Sequence, residues 1–318
     1  MTAGRPVLVL RALGLGDLLT AVPALRALAR AHPDRPVWLA APAWLDPLVS
    51  MTGCIHTLVP AEPLRPLPAW AHGAHLAVNL HGRGPQSHRI LAAAAPARRI
   101  AFRAKAVEWS WDGPEWDGGE HEVVRWCRLL EHFGIPADPS DLRIDRPDGC
   151  ARDPDVTVVH PGAASAARRW PPERFAAVAR SERERGRTVL VTGSQSEEGL
   201  CRSVAVGAGL GRDAVRTGIG LDGLAATIAA AGRIVCGDTG PAHLAIALGT
   251  PSVVLFGPTP PAAWGALVDR PLHREIWMGS AGDPHAGAPD RGLLRIGVGR
   301  VRRELDALDA ATRAPAAV

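Results

Sequence analysis

Three segments of this 318-residue chain hold the residue types that could do chemistry. The first is Leu13-Gly14-Leu15-Gly16-Asp17. Its two glycines let the backbone turn sharply and approach a ligand closely. Asp17 then has two readings. It is either an N-cap for the helix behind it or a carboxylate placed to take a proton from a hydroxyl. The second is Gly237-Asp238-Thr239-Gly240-Pro241-Ala242-His243. Thr239 can cap a helix, Pro241 suits its first turn, and the exposed amides make an anion site. A diphosphate would meet those amides, the Thr239 hydroxyl and His243; otherwise this is a capped helix with a surface histidine. The third is His160-Pro161-Gly162-Ala163-Ala164-Ser165, followed by Arg168-Arg169-Trp170-Pro171. Amides, a hydroxyl and a guanidinium fork suit phosphate oxygens, although Arg168 and Arg169 could equally be a solvated pair.

Each segment lies between a strand pattern and a helix pattern. Pro6–Arg11 is a short apolar run of the kind a covered parallel strand needs. A helical face follows, with Leu18, Leu19, Val22, Leu25, Leu28 and Ala29. Further strands are expected at Pro36–Ala41 and Ala74–Leu80, with a short helix around Trp44–Met51. A helix over Glu120–Phe133 ends at Gly134 and Pro136. Residues 135–155, rich in Pro, Asp and Gly, read as a linker. The alternation then restarts with strands at Val156–His160, Thr188–Thr192, Arg233–Cys236 and Ser252–Phe256. Helices fall at Pro172–Glu184, Glu197–Val206, Leu221–Ala231, Pro241–Leu248 and Val298–Leu308. Repeated units of this length give parallel sheets.

Composition bounds the function. Hydrophobic residues make up 47% and charged residues 21%, the balance of a globular chain. A net charge of +4 is too mild to imply nucleic acid, and the Ala, Arg, Gly and Pro bias reads as a G+C-rich bacterial genome. No apolar run reaches the ~18 residues of a membrane span, and no secretory signal opens the chain. The expected location is the cytoplasm, with peripheral contact at the inner face of a membrane. Five scattered cysteines form no C-x-x-C pair, so neither zinc nor a disulfide framework is indicated. A dinucleotide fingerprint would need a third glycine at Leu19, and a Walker loop would need G-K-[ST]; neither is present. That speaks against a nicotinamide-dependent dehydrogenase.

The ordered set R-x-L-G-x-G-D (Arg11–Asp17), H-P-G-A (His160–Ala163), R-W-P (Arg169–Pro171) and G-D-T-G-P-x-H (Gly237–His243) resembles glycosyltransferase family 9, the lipopolysaccharide heptosyltransferases. Gly193–Glu197, Leu255–Thr259 and Trp264-Gly265 extend the resemblance over roughly Val7–Trp264. It implies an α/β, GT-B fold: two Rossmann-like domains whose parallel sheets face an interdomain cleft. Residues 1–150 would bind the acceptor and 151–318 the nucleotide sugar. It also implies inversion at the anomeric carbon without metal or cofactor. By position, Asp17 resembles the catalytic base. Asp238, Thr239, Gly240 and His243 resemble the nucleotide-diphosphate loop, Ser165 and Arg168 the phosphate segment, and Glu197 the ribose contact. Arg168 stands where the family usually has lysine, which keeps the charge but changes its geometry. The acceptor side, assigned to Gly16, His81 and Arg83 with Arg103–Trp116 nearby, matches no pattern of the family. The partners implied are an ADP-heptose-type donor and a glycan or small-molecule glycoside acceptor. Alternatives are a transferase or epimerase using a UDP- or GDP-sugar, and a nucleotide-sugar-binding protein without turnover.

Overall fold

Apolar runs too short for buried helices become the strands of two parallel sheets. The computed structural model describes residues 4–104 and 112–313. The chain divides into two compact units, Met1–Asp145 and Arg146–Val318, and the division falls inside the Pro- and Asp-rich stretch.

In the first unit, β1 (Val7–Leu10), α1 (Leu15–Ala31), β2 (Val37–Ala41), α2 (Asp46–Val49) and β3 (Thr57–Pro60) come first. Then follow β4 (Leu76–Asn79), α3 (Gln86–Ala93), β5 (Arg98–Ile100) and α4 (Glu122–His132). The sheet order is β3-β2-β1-β4-β5, with every pairing parallel. Edge strands β3 and β5 escape the sequence reading, because β5 is only Arg-Arg-Ile and β3 ends in proline. Helix α1 is buried on nearly all sides and runs on through Pro23, where propensity alone would end or kink it. Burial against the sheet and α4 holds it together.

The second unit starts with β6 (Asp153–His160), α5 (Pro172–Glu184), β7 (Thr188–Gly193), α6 (Glu198–Gly207) and β8 (Val215–Thr217). It continues with α7 (Gly220–Ala230), β9 (Ala231–Gly237), α8 (Gly240–Leu248), β10 (Ser252–Phe256) and α9 (Pro261–Trp264). It ends with β11 (His273–Trp277), α10 (Arg291–Arg295) and α11 (Val298–Arg313). Here the order is β11-β10-β9-β6-β7-β8, again parallel throughout. The outer strands β8 and β11 went unread for the same reason as β5: they are short or polar. Helix α11 buries Val301, Leu305 and Leu308 in the core of its own unit, beside Trp170 and Phe175.

Both sheets share one topological device. Sequence-successive strands run outward to one side, and the chain then returns to the other side of its starting strand. The reversal falls between β1 and β4 in one unit and between β6 and β9 in the other. At such a switch point the connections leave in opposite directions and open a crevice at the carboxyl ends of the strands. Asp17 and His81 follow β1 and β4; Ser165 and Asp238 follow β6 and β9.

Trp170 tests the second core. It is 1% exposed, meets Phe175 edge to face at 4.9 Å, and donates its indole N–H to the Ile296 carbonyl at 2.9 Å. Trp170→Ala should cost about 3–5 kcal/mol, read as a lower urea midpoint at unchanged slope.

Candidate active site

In the first unit, Arg11 organises the switch point. Its fully buried guanidinium donates to the main-chain carbonyls of Asp17 and Leu80, to Thr20 Oγ1 at 3.2 Å and to Glu122 Oε1 at 3.0 Å. It also stacks over Trp126 at 4.7 Å and lies 3.4 Å from Asp17 Oδ1. One side chain thus ties the ends of β1 and β4 to α1 and α4. Glu122 is buried as well, and Arg125 binds its second oxygen. Sequence reading placed Arg11 in a motif but gave it no task, and missed Glu122 because the two lie 111 positions apart.

Asp17 is not the N-cap. Gly14 holds that position, and Asp17 is the third helical residue, its Oδ2 accepting the Gly14 N–H at 3.1 Å. The carboxylate still satisfies an amide of the helix start, by reaching back from within the first turn. Its side chain remains 28% exposed, so one face is open to a ligand. Gly16 sits in the same turn and is half-buried.

After β4, the Asn79 Oδ1 accepts the His81 N–H at 3.0 Å and fixes the start of the loop. The His81 side chain is desolvated, and this burial, helped by the nearby Arg11 cation, pushes its pKa down to about 4. The imidazole is therefore neutral at physiological pH. Arg83 is exposed and forms no ion pair among the described residues. Of the segment Arg103–Trp116, residues 105–111 lie outside the described residues. Trp116 packs into an aromatic cluster with Phe102 and Trp126, and Arg125 stacks on it at 4.4 Å.

In the second unit, the expected donor residues fall into one neighbourhood. Gly162 lies so close to Glu197 that a Cβ there would overlap the carboxylate. That contact joins the loops after β6 and β7. Glu197 Oε2 accepts from the Ser194 amide and hydroxyl at 2.9 and 2.8 Å. Arg168 donates to the Asp238 carbonyl at 3.3 Å, and its own carbonyl packs on Gly237. These contacts join the loops after β6 and β9. The Arg168 Nε is buried with no partner among the described residues.

Thr239 is the N-cap of α8 but makes no side-chain cap bond; its hydroxyl donates to the Gly237 carbonyl at 3.3 Å. Gly240 and Pro241 open the helix. The first turn of α8 therefore offers its positive end without a cap bond from the Thr239 side chain. His243 is buried and packs edge-on against Trp264 at 5.6 Å, which removes the surface-histidine alternative. With Asp238, Trp264, His273 and Glu275 it lines a small pocket beneath the loop. Burial raises the Asp238 pKa to about 6, against the opposing pull of Arg168 and of a hydrogen bond from Thr259.

Ser165 is placed differently from expectation. Its hydroxyl donates to the carbonyl of Pro284, so that proton is already engaged. The Gly-, Ala- and Pro-rich segment 279–290 folds back here as a strap. The Ala167 amide donates to Ala286 O at 3.1 Å, and the Asp290 amide donates to Ala167 O at 3.2 Å. Sequence reading missed the strap because its bonds are main-chain ones, made over a hundred positions away. Among the described residues, no cluster of three or more His, Cys, Asp or Glu is arranged to hold a metal ion. No helix of the described residues is long and apolar enough to cross a membrane.

Solved structures share this fold over nearly the whole chain. An Escherichia coli ADP-heptose lipopolysaccharide heptosyltransferase II superposes with a TM-score of 0.77 at 22% identity, covering 97% of this chain and all of that one. E. coli heptosyltransferase WaaC with ADP gives 0.71 at 17% identity, covering 95% and 99%. Two parallel-sheet Rossmann-like domains of this kind define a protein of GT-B architecture. Residues 104–278, more than half of the sequence, match glycosyltransferase family 9 (heptosyltransferase), and the chain belongs to that family. It is 33% identical over 184 residues to lipopolysaccharide heptosyltransferase 1 of Pseudomonas aeruginosa, across 56% of this chain; the match spans about half the length of that relative, 48%.

The buried acid gives a test by pH. In the folded chain Asp238 keeps its proton up to about pH 6, whereas an unfolded carboxyl releases it near pH 4. Its contribution to stability therefore falls as pH rises through that window. His81, lowered to about 4, acts in the opposite sense and loses stability as pH falls below its unfolded value. Asp238→Asn should leave the histidine effect unopposed. The melting temperature of the variant should drop more steeply than wild type from pH 6.5 to pH 4.

Proposed function

We propose that this chain is an inverting glycosyltransferase that moves a sugar, of the ADP-heptose type, onto a hydroxyl of a glycan or glycoside acceptor. The observation that carries the reading is the pair of switch points. One bears a partly exposed carboxylate, the other a helix start with no side-chain cap bond, beside the part-buried Arg168 whose Nε is buried without a partner among the described residues. The E. coli relative solved with ADP and the names of the other relatives support the choice of nucleotide and sugar. The first unit binds the acceptor, through Gly16, His81 and Arg83, and the second binds the nucleotide sugar.

In this reading the helix start at Thr239 and Gly240, with Arg168 and His243, meets the diphosphate charge. Glu197 meets the ribose. Ser165, its proton committed to Pro284, serves as a hydrogen-bond acceptor or exchanges partners. The acceptor oxygen attacks the anomeric carbon from the face opposite the phosphate and gives its proton to Asp17. The anomeric C–O bond breaks, and the nucleoside diphosphate leaves with the electron pair. Fixed donors around the departing diphosphate supply the stabilisation that a metal would otherwise provide, so the reaction proceeds without one. The chain acts in the cytoplasm or at the inner face of a membrane.

A thermal-shift panel of ADP, UDP and GDP tests the donor. At ~100 times its dissociation constant the right nucleotide adds roughly 2.7 kcal/mol of stability, and ADP should be that nucleotide. The shift should be the same in EDTA as in Mg²⁺; a shift seen only with the cation would show that a metal is needed.

Asp17→Asn tests the base. The amide oxygen still accepts the Gly14 N–H, so melting temperature and ADP affinity should stay near wild type. Turnover should fall by ~10²–10⁴, the usual contribution of a positioned general base. A well-folded variant within a few-fold of wild type would leave Asp17 as a helix-start residue only.

A further inference from the structure

The loop after β4 carries a polar atom that the fold leaves unanswered. Register pairs Leu10 with Asn79, so Arg11 and Leu80 lie side by side, and Arg11 donates to the carbonyls of both Leu80 and Asp17; His81 follows Leu80 directly. The backbone there is held firmly. The Asn79 amide donates to Ser87 Oγ at 2.9 Å and lies 3.1 Å from His88 Nδ1, while His88 Nε2 meets the Phe102 carbonyl at 2.8 Å. Yet Nδ1 of His81 is buried with no hydrogen-bond partner among the described residues. Buried polar atoms are nearly always paired, and leaving one unpaired costs about 1–3 kcal/mol. Arg11 does not answer it: four of its five N–H donors go to Asp17, Leu80, Thr20 and Glu122, and none is bonded to His81.

We infer that Nδ1 of His81 binds a hydroxyl of the acceptor and holds it for Asp17. The inference rests on the proposed transfer and deepens its acceptor side. The chemistry selects the ligand group. Burial, helped by the nearby Arg11 cation, keeps the imidazole neutral, and that cation disfavours an ammonium there. A neutral imidazole nitrogen either donates or accepts, and a hydroxyl can do both, so the pair is satisfied in either tautomer. In the tautomer whose Nδ1–H donates to the hydroxyl oxygen, the hydroxyl keeps its proton free for the Asp17 carboxylate.

Two substitutions separate this role from simple space filling. An asparagine places an amide atom at the same bond from Cβ as Nδ1, whereas a glutamine reaches one bond further, where Nε2 stands. Wild type, His81→Asn and His81→Gln would be compared as full chains, with melting temperature and ADP affinity as controls. Nucleotide release would be followed from ADP-heptose, UDP-glucose and GDP-mannose. Each would be run with water alone and with de-acylated, heptose-free lipopolysaccharide core as acceptor probe.

Both variants should slow turnover, the glutamine roughly tenfold further than the asparagine, about the worth of one hydrogen bond, at unchanged ADP affinity. Water occupies the hydroxyl's place in hydrolysis, so the same order should appear there. Equal rates, or glutamine outperforming asparagine, would overturn the assignment. Should glutamine lower the melting temperature, His81→Ala replaces it with the same expected loss. Hydrolysis by wild type without transfer to the core would overturn that acceptor while the His81 comparison still stands. Release from none of the three sugars would overturn the proposed function, and this inference with it.

Discussion

The reversal of strand order within each sheet is the constraint on which the rest depends. Parallel strands need long crossovers, and a crossover covers the carboxyl end of the strand it leaves. Only where two neighbouring strands send their connections to opposite faces does that end stay open. The chain does this once per sheet, beside β1 and β4 and beside β6 and β9. Its glycine-bearing loops gather there, where helix starts and buried side chains converge. Such an opening would collapse or fill with loop unless something held its walls apart.

Holding is done differently in the two units. In the first, a buried guanidinium at the end of β1 reaches three other elements, and its charge is matched by Glu122, itself shared with Arg125. Removing one partner of such an arrangement leaves a buried charge exposed to low dielectric, typically a loss of about 3–5 kcal/mol. In the second, close approaches to glycines take over. Gly162 admits the Glu197 carboxylate, and Gly237 admits the main chain at Arg168. A side chain at Gly162 would displace the Glu197 carboxylate from this position.

This contrast explains what could be read beforehand. The central strands are continuous apolar runs, and the helices between them carry clear periodicity, so β1, β2, β4, β6, β7, β9 and β10 were legible. Edge strands were not. Arg98–Ile100 and His273–Trp277 are shaped by their neighbours rather than by their own sequence. At the site, motifs fixed which residues mattered, whereas their partners came from distant parts of the chain. Glu122 belongs to a helix with no motif, and Pro284 offers only a carbonyl. Long-range main-chain bonds leave no mark on residue type. The displacement of Asp17 from N-cap to third helical position has a local cause: α1 begins two residues before Asp17, with Gly14 taking the cap.

The strap over Ser165–Ala167 has one more consequence. A loop that is free before binding must lose conformational freedom when a ligand arrives, at roughly 1–2 kcal/mol of backbone entropy for each residue fixed. Bonds from Pro284, Ala286 and Asp290 impose much of that loss during folding. Any ligand that this loop receives therefore meets a preorganised surface. Affinity becomes adjustable from a segment that need not touch the ligand, since loosening or tightening residues 279–290 changes how much order remains to be imposed at the moment of binding.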